Sequence, residues 1–290
     1  MNTLSVNNPF GAPVYFKETV TSTMDEARLL VNEPSGTVIA ADEQSTGRGR
    51  AGRPWKTGKG KSLSFTVILH YGTIPAIPPC LTLKAGLAVS CAIEDFIEEF
   101  AAFVLGAQKP TPAGKVSLCG KILVKWPNDV MLPGRDGLGR KAAGILTEAE
   151  DGTVYIGIGV NIAQKSFPPE LAVKACSIAQ ALPELPPWNN EGAASLAERR
   201  FTLLEMILSR LYKELETPDC VSDWRKRLEE KLYMKGQKVS FIPGLPEELA
   251  GKSSIIAGTL QGVEENGGIC IVQDSGDVFS CMNGELKVYD

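Results

Sequence analysis

The chain has 290 residues, 43% apolar and 22% charged, with a formal net charge of −4; this balance fits a soluble globular protein of one large domain, or one large and one small. The mildly acidic total argues against general nucleic-acid binding, and no run approaches the roughly 18 apolar residues that a membrane helix requires. The single histidine, His70, excludes a Ser-His-Asp triad elsewhere and any multi-histidine zinc centre, while seven cysteines without C-x-x-C spacing read as reduced, mostly buried thiols of a cytoplasmic protein.

Residues 1–12 read as a loose leader, without the basic start or apolar run of a signal peptide. A short strand over Val14–Glu18 leads to Thr23 and Glu26, whose capping-box spacing predicts a helix continuing to Val31 and ended by Pro34-Ser-Gly36. Ser22 and Thr23 fit capping alone as well as binding. A strand over Thr37–Glu43 delivers Gln44-Ser-Thr-Gly47-Arg48-Gly49-Arg50-Ala-Gly52-Arg53-Pro54-Trp55. From Arg48 to Lys61 there are six cations and no acid. Nothing local neutralises that block, so it is a solvated basic loop or a seat for a polyanion. Its glycines leave backbone amides open, and its arginines offer fixed forks of donors suited to phosphate and carboxylate. Residues 47–52 spell G-x-G-x-x-G without the βαβ frame, and Gly60-Lys61-Ser62 lacks the first glycine of a Walker A loop and runs into an alternating strand.

That strand spans Ser62–His70, with His70 structural. A proline-rich turn precedes a helix from Leu81 to about Phe103, and residues 105–119 read as an insertion or long loop. Residues 121–132 form an apolar strand broken by the polar corner Lys125-Trp126-Pro127-Asn128-Asp129. Beyond a glycine-rich turn, Lys141–Glu148 and Tyr155–Ile162 are paired strands. Interior glycines 144, 157 and 159 weaken strands, so either something approaches the backbone there or the sheet packs tightly under a helix. Trp55 and Trp126 either flank a ring or pack. A helical turn at Ser177–Leu182 and helices over 191–216 and 221–233 follow. Beyond Lys235 the short segments 238–242, 255–263, 268–273, 276–280 and one near Leu286 read as a small barrel.

Taken together and in this order, the motifs resemble the biotin–protein ligases, which attach biotin to biotin-dependent carboxylases. The likeness is carried by Thr21-Ser-Thr-Met24, the arginine loop, Val124-Lys-Trp-Pro-Asn-Asp129, Arg140-Lys-Ala-Ala-Gly-Ile-Leu-Thr-Glu148 and Ile158-Gly-Val-Asn-Ile162. It covers about Val14 to Ala181 well and the C-terminal part more loosely. The resemblance implies an α/β (α+β) catalytic domain with a mixed sheet, related to class II synthetases, over residues 1–234. An SH3-like β-barrel would follow over 235–290. It also implies that biotin and ATP, with Mg2+, form biotinyl-5′-AMP and pyrophosphate, and that the acyl group then passes to one lysine of a biotin carboxyl carrier domain.

By the family pattern, Lys125, Arg48 and Arg50 are the catalytic residues. Ser22, Thr23, Met24 and Gln44 would hold biotin, together with Arg48, Gly49, Arg50, Lys125, Gly144, Gly157 and Gly159. Arg48, Arg50, Arg53, Trp55, Lys125, Asn128, Lys141 and Asn161 would serve ATP, and no protein metal ligand is assigned. The chemistry agrees: a carboxylate meets a triphosphate only if cations offset their repulsion, and an uncharged ureido ring needs neutral donors and acceptors. A lipoate ligase or octanoyl transferase of the same fold is the alternative, although those enzymes lack the Lys-Trp-Pro-Asn-Asp corner. Lys125 and the arginines argue against a non-catalytic biotin-binding regulator. The catalytic motifs begin almost at once, so no DNA-binding winged helix and no repressor activity is expected. The expected partner is the carrier, with no nucleic acid or membrane, and the chain is a monomer or homodimer. Cys176 stands where relatives often place threonine, on the adenine side of the site.

Overall fold

Thirteen described strands pair into two sheets in the computed structural model, which describes residues 1–104, 122–134, 136–182, 198–217, 223–244 and 255–288. The expected 105–119 insertion and the beginnings of the helices expected over 191–216 and 221–233 lie outside the described residues. The larger sheet holds β1 (Asn2–Thr3), β2 (Val14–Val20), β3 (Val38–Gln44), β4 (Ser62–His70), β5 (Leu123–Lys125), β6 (Asp129–Pro133), β7 (Gly139–Glu150) and β8 (Thr153–Asn161), in the order β1-β2-β3-β4-β8-β7-β6-β5. β2 and β3 are parallel, joined through helix α1 (Thr23–Leu29), and the other pairings in this sheet are antiparallel.

Alternation along each strand sends successive side chains to opposite faces. On one face, Phe65, Val67, Ile145 and Ile156 meet helix α2 (Leu81–Val104). On the other, Ile39, Ile68 and Tyr155 meet Met24 and Ala27 of α1. Covered on both sides, β8 is buried throughout and reads as an almost unbroken apolar run. Short helices α3 (Pro169–Ala172) and α4 (Ile178–Ala181) follow, then α5 (Arg200–Glu216) against α2, and α6 (Trp224–Glu230). Among the described residues no helix is long and apolar enough to cross a membrane.

The second sheet contains β9 (Lys238–Pro243), β10 (Ile256–Val263), β11 (Ile269–Val272), β12 (Val278–Cys281) and β13 (Gly284–Val288), in the antiparallel order β12-β11-β10-β9-β13. β12 and β13 lie at opposite ends without pairing, so the expected barrel is an open sheet. It has no need to close on itself, because Leu83, Leu87, Trp126, Trp224 and Leu228 from the preceding chain cover its apolar residues.

Three local expectations are corrected. The leader is not loose: β1 pairs with β2, and Leu4, Val6 and Phe10 pack on the main core. Helix α1 is capped by Ser22, whose Oγ accepts from Met24 N–H at 3.2 Å, while Glu26 reaches Lys17 instead of turning back on the cap. Among the described cysteines Cys176 alone is buried; Cys80, Cys91, Cys270 and Cys281 are half-buried free thiols. His70 is structural, bonded to Thr153 Oγ1 and the Glu33 carbonyl.

Candidate active site

Because β2 and β3 run parallel with Val20 opposite Gln44, the chain leaves both strands at the same end of the sheet. There Gln44 Oε1 accepts from Thr23 N–H at 2.8 Å and from Thr23 Oγ1 at 3.2 Å, and Thr66 Oγ1 donates to Thr23 Oγ1 at 2.9 Å. Ser22 and Thr23 are both buried. The result is a neutral corner of amide and hydroxyl groups, suited to an uncharged polar ring.

The arginine loop folds back on itself: Gly49 N–H donates to the Arg53 carbonyl and Trp55 N–H to the Gly47 carbonyl, each at 2.7 Å. Its tip turns through Ala51 (φ 53°) and Gly52 (φ 68°). The left-handed alanine costs about 1 kcal/mol relative to glycine. A Cβ at Gly47 would stand 2.6 Å from the Trp55 carbonyl, so the hairpin closes only around glycine. This closure lays Trp55 on the sheet. A Cβ at Gly159 would stand 2.4 Å from Trp55 Cε2, one at Gly157 2.9 Å from Met24 Sδ, and one at Gly144 3.0 Å from Lys141 Nζ. The close approach that the strand glycines permit is made by the protein's own side chains.

These groups enclose a cavity of about 40 Å3. Twelve of the residues expected at the site line it: Ser22, Thr23, Met24, Gln44, Arg48, Gly49, Trp55, Asn128, Lys141, Gly144, Gly157 and Gly159. Ile145, Leu146 and Ile158 complete the wall; they lie inside the motifs that carry the resemblance, but none was expected to be a site residue. Thr66 was also missed, although Ser62, Ser64 and Thr66 alternate along one face of β4 and mark it as polar. Trp55 Nε1 and Ser64 Oγ, the latter opposite Gly159, are buried without a hydrogen-bond partner among the described residues. A polar ligand would satisfy them.

No acid within the basic loop neutralises it, as expected, but remote acids reach it, which the choice between a solvated loop and a polyanion seat left out. Arg48 Nη1 donates to Asp25 Oδ2 at 3.0 Å, Arg53 meets Glu285 at 2.6 Å, Lys56 meets Glu170 at 3.2 Å and Lys59 meets Glu18 at 3.9 Å. Half-buried Arg50 instead lines a second cavity of about 300 Å3, between α2, β7 and the second sheet. Hydrogen bonding to Asp25 raises the Arg48 pKa, whereas burial lowers that of Arg50. Lys125, across the β5–β6 pair from Asp129, is half-buried, and that burial pulls its amine below the ordinary 10.5. Lys141 Nζ lies 2.7 Å from Asp129 Oδ1 and 5.5 Å from the Trp55 ring centre.

Arg50, Lys125, Arg53 and Asn161 do not line the smaller cavity. Arg53 points to the second sheet, and Asn161 is tied to the Cys176 carbonyl and to Gln164. Cys176 itself is packed beneath the Leu132 and Arg140 carbonyls, and burial pushes its thiol up to about 12. Trp126 is buried, with Nε1 donating to the Gly267 carbonyl at 3.0 Å, and it also borders the second cavity.

The sequence profile of the Biotin/lipoate A/B protein ligase family matches residues 14–162. A bifunctional ligase/repressor BirA of Bacillus spizizenii is 35% identical over 184 residues, 59% of this chain and 47% of the relative. A biotin–[acetyl-CoA-carboxylase] ligase of Mycobacterium tuberculosis is 27% identical over 252 residues, covering 84% of this chain and 78% of that protein. The chain thus spans about half the length of the first curated relatives it matches. Among solved structures, the biotin protein ligase of Aquifex aeolicus in complex with biotin and ATP superposes with a TM-score of 0.68 at 25% identity, over 94% of this chain and 97% of that one. On the profile match and the shared fold together, this chain belongs to the biotin/lipoate A/B protein ligase family.

Proposed function

We propose that this protein is an ATP-dependent ligase that joins biotin to a lysine of a biotin carboxyl carrier domain. The observation that carries this reading is the neutral corner of Ser22, Thr23 and Gln44 lining the same cavity as the cations Arg48 and Lys141. The corner would hold the ureido ring and the cations would receive the reacting anions. In the first step a biotin carboxylate oxygen bonds to the α-phosphorus of ATP as the bond to pyrophosphate breaks. In the second, the carrier amine attacks the acyl carbon, AMP leaves, and the amine proton passes to solvent. Neither step needs a protein nucleophile; both need positioning and charge neutralisation, which Arg48, Arg50 and Lys125 supply.

The site's donor set fits Mg2+ brought in by the nucleotide. Among the described residues no three ligating side chains cluster, and Mg2+ typically rests on substrate phosphates with one or two carboxylates; Asp129 is the carboxylate at hand. The ion would draw charge from the triphosphate. We further read residues 1–234 as the catalytic part and 235–290 as an appended unit, in a protein of the cytoplasm.

Pyrophosphate release on adding ATP with biotin, and not with lipoate, tests the reading. Release with lipoate alone would assign the chain to the other branch of its family, and release with neither would remove the ligase assignment.

A further inference from the structure

The arginines of the loop differ in what meets them. Arg48 is held by the Asp25 carboxylate and Arg53 by that of Glu285. Arg50 meets only neutral oxygens among the described residues: Nη2 donates to Asn283 Oδ1 at 2.9 Å and to the Gly284 carbonyl at 3.4 Å, and Nη1 to Asn128 Oδ1 at 3.5 Å. A half-buried guanidinium is thus oriented without being neutralised. Burial lowers its pKa, as expected where no carboxylate pairs with it directly.

Asn283 stands in the turn between β12 and β13, on the second sheet. Its side chain is exposed but borders the Gly244 backbone: a Cβ at Gly244 would stand 2.7 Å from its Cγ, and Gly244 N–H donates to the Asn283 backbone carbonyl at 2.9 Å. If its amide were turned the other way, Nδ2 would set donor against donor, so Arg50 fixes which end faces it.

We propose that Asn283 is a positioning residue for Arg50: the second sheet supplies an uncharged amide oxygen that aims the guanidinium at the reacting phosphate while leaving its charge intact. This rests on the ligase reading above. An aspartate there would be isosteric and would still accept the hydrogen bond, but it would cancel the charge. An alanine would keep the charge and lose the aim. Charge cancellation removes the electrostatic contribution itself, so the aspartate is the more damaging change. A residue with a merely packing role gives the reverse order, since aspartate preserves shape and alanine does not.

The test is biotin-dependent pyrophosphate release by the full chain, with kcat and the biotin KM measured for wild type, Asn283→Asp, Asn283→Ala and Gly244→Ala, and thermal unfolding followed for each. Asn283→Asp is expected to lose about 100-fold in kcat, on the scale of deleting one preorganised donor. Asn283→Ala should lose about 10-fold through misplacement. The biotin KM should hold within about twofold in both, since the ring is gripped by other residues. Gly244→Ala displaces the Asn283 amide while leaving Asn283 and Arg50 in the chain, so it keeps the test decisive if the Asn283 variants fail to fold; about a 10-fold loss is expected. Wild-type turnover in Gly244→Ala, or an Asn283→Asp variant no worse than Asn283→Ala, would overturn the positioning role while the ligase reading stands. A wild-type protein inert to biotin and ATP would overturn both.

Discussion

Trp55 lies so close over Gly159 that a Cβ on that glycine would stand 2.4 Å from Cε2 and 2.5 Å from Nε1 of the indole. The loop lies on the sheet here, and the glycine is what permits the indole to come so close. Gly159→Ala is expected to push the indole outward. Overpacking of this kind costs about 1–3 kcal/mol, readable by urea unfolding. Biotin affinity by calorimetric titration should fall as well; an unchanged affinity would show that Trp55 is no wall of the biotin site.

A cavity of about 40 Å3 is far below the roughly 300 Å3 or more that small-molecule pockets provide. On the ligase reading, Trp55 and the loop that carries it are expected to shift to admit biotin. The pairs that clasp the loop, Arg48–Asp25 and Arg53–Glu285, are exposed, and such pairs contribute about 0–1 kcal/mol each. Trypsin should cut within Arg48–Lys61 in the free protein, faster at high salt, and biotin with ATP should protect the segment. Equal cleavage with and without ligand would count against a lid that closes over the adenylate.

Lys125→Ala is expected to abolish adenylate formation, at about 3–4 kcal/mol in the barrier, with the fold intact. Burial lowers this amine below 10.5. A lysine is charged below its pKa, so activity that needs the cation should fall as pH rises through that lowered value, earlier than an exposed lysine would dictate. Lys125→Arg should move the alkaline limb upward. A limb in the same place for both proteins would assign it to another group.

Arg227 grips the buried Glu214 carboxylate at 2.6 and 2.8 Å, pinning α6 to α5 far along the chain from the motifs. Arg227→Ala leaves that charge without its partner. Because Arg227 is itself partly hydrated, the loss should fall near the lower end of the range for a broken buried pair, about 3 kcal/mol. Chemical denaturation measures it, and turnover per folded molecule should not change.

The groups that touch ligand in this reading were legible because their chemistry is written locally. Ser22, Thr23, Gln44 and the arginines sit in runs whose residue types already state a purpose, and the three strand glycines marked the places of closest approach. The partners of those groups were not legible. Asp25, Glu170 and Glu285 are ordinary surface acids in sequence, and the fold alone brings them to the loop. Asn283 belongs to a turn that reads as nothing more than a turn. The second sheet was expected to close into a barrel because its strands announce pairing and turns, while the apolar surface that keeps it open comes from α2 and Trp126, far earlier in the chain.

That shared surface has a thermodynamic consequence. Helix α2 gives Ala85, Ala88 and Val89 to the core of the larger sheet, and Leu83 and Leu87, one turn apart, to that of the smaller. Trp126 lies against Phe241 with ring centres 5.7 Å apart. One continuous helix is therefore the floor of two cores, and neither can melt without stripping apolar surface from the other. Heating should give a single calorimetric transition, and a chain stopped at residue 234 should bind apolar dyes through the uncovered flank of α2. On that expectation, the proposed border near residue 235 would separate the two sheets without separating two cooperative units.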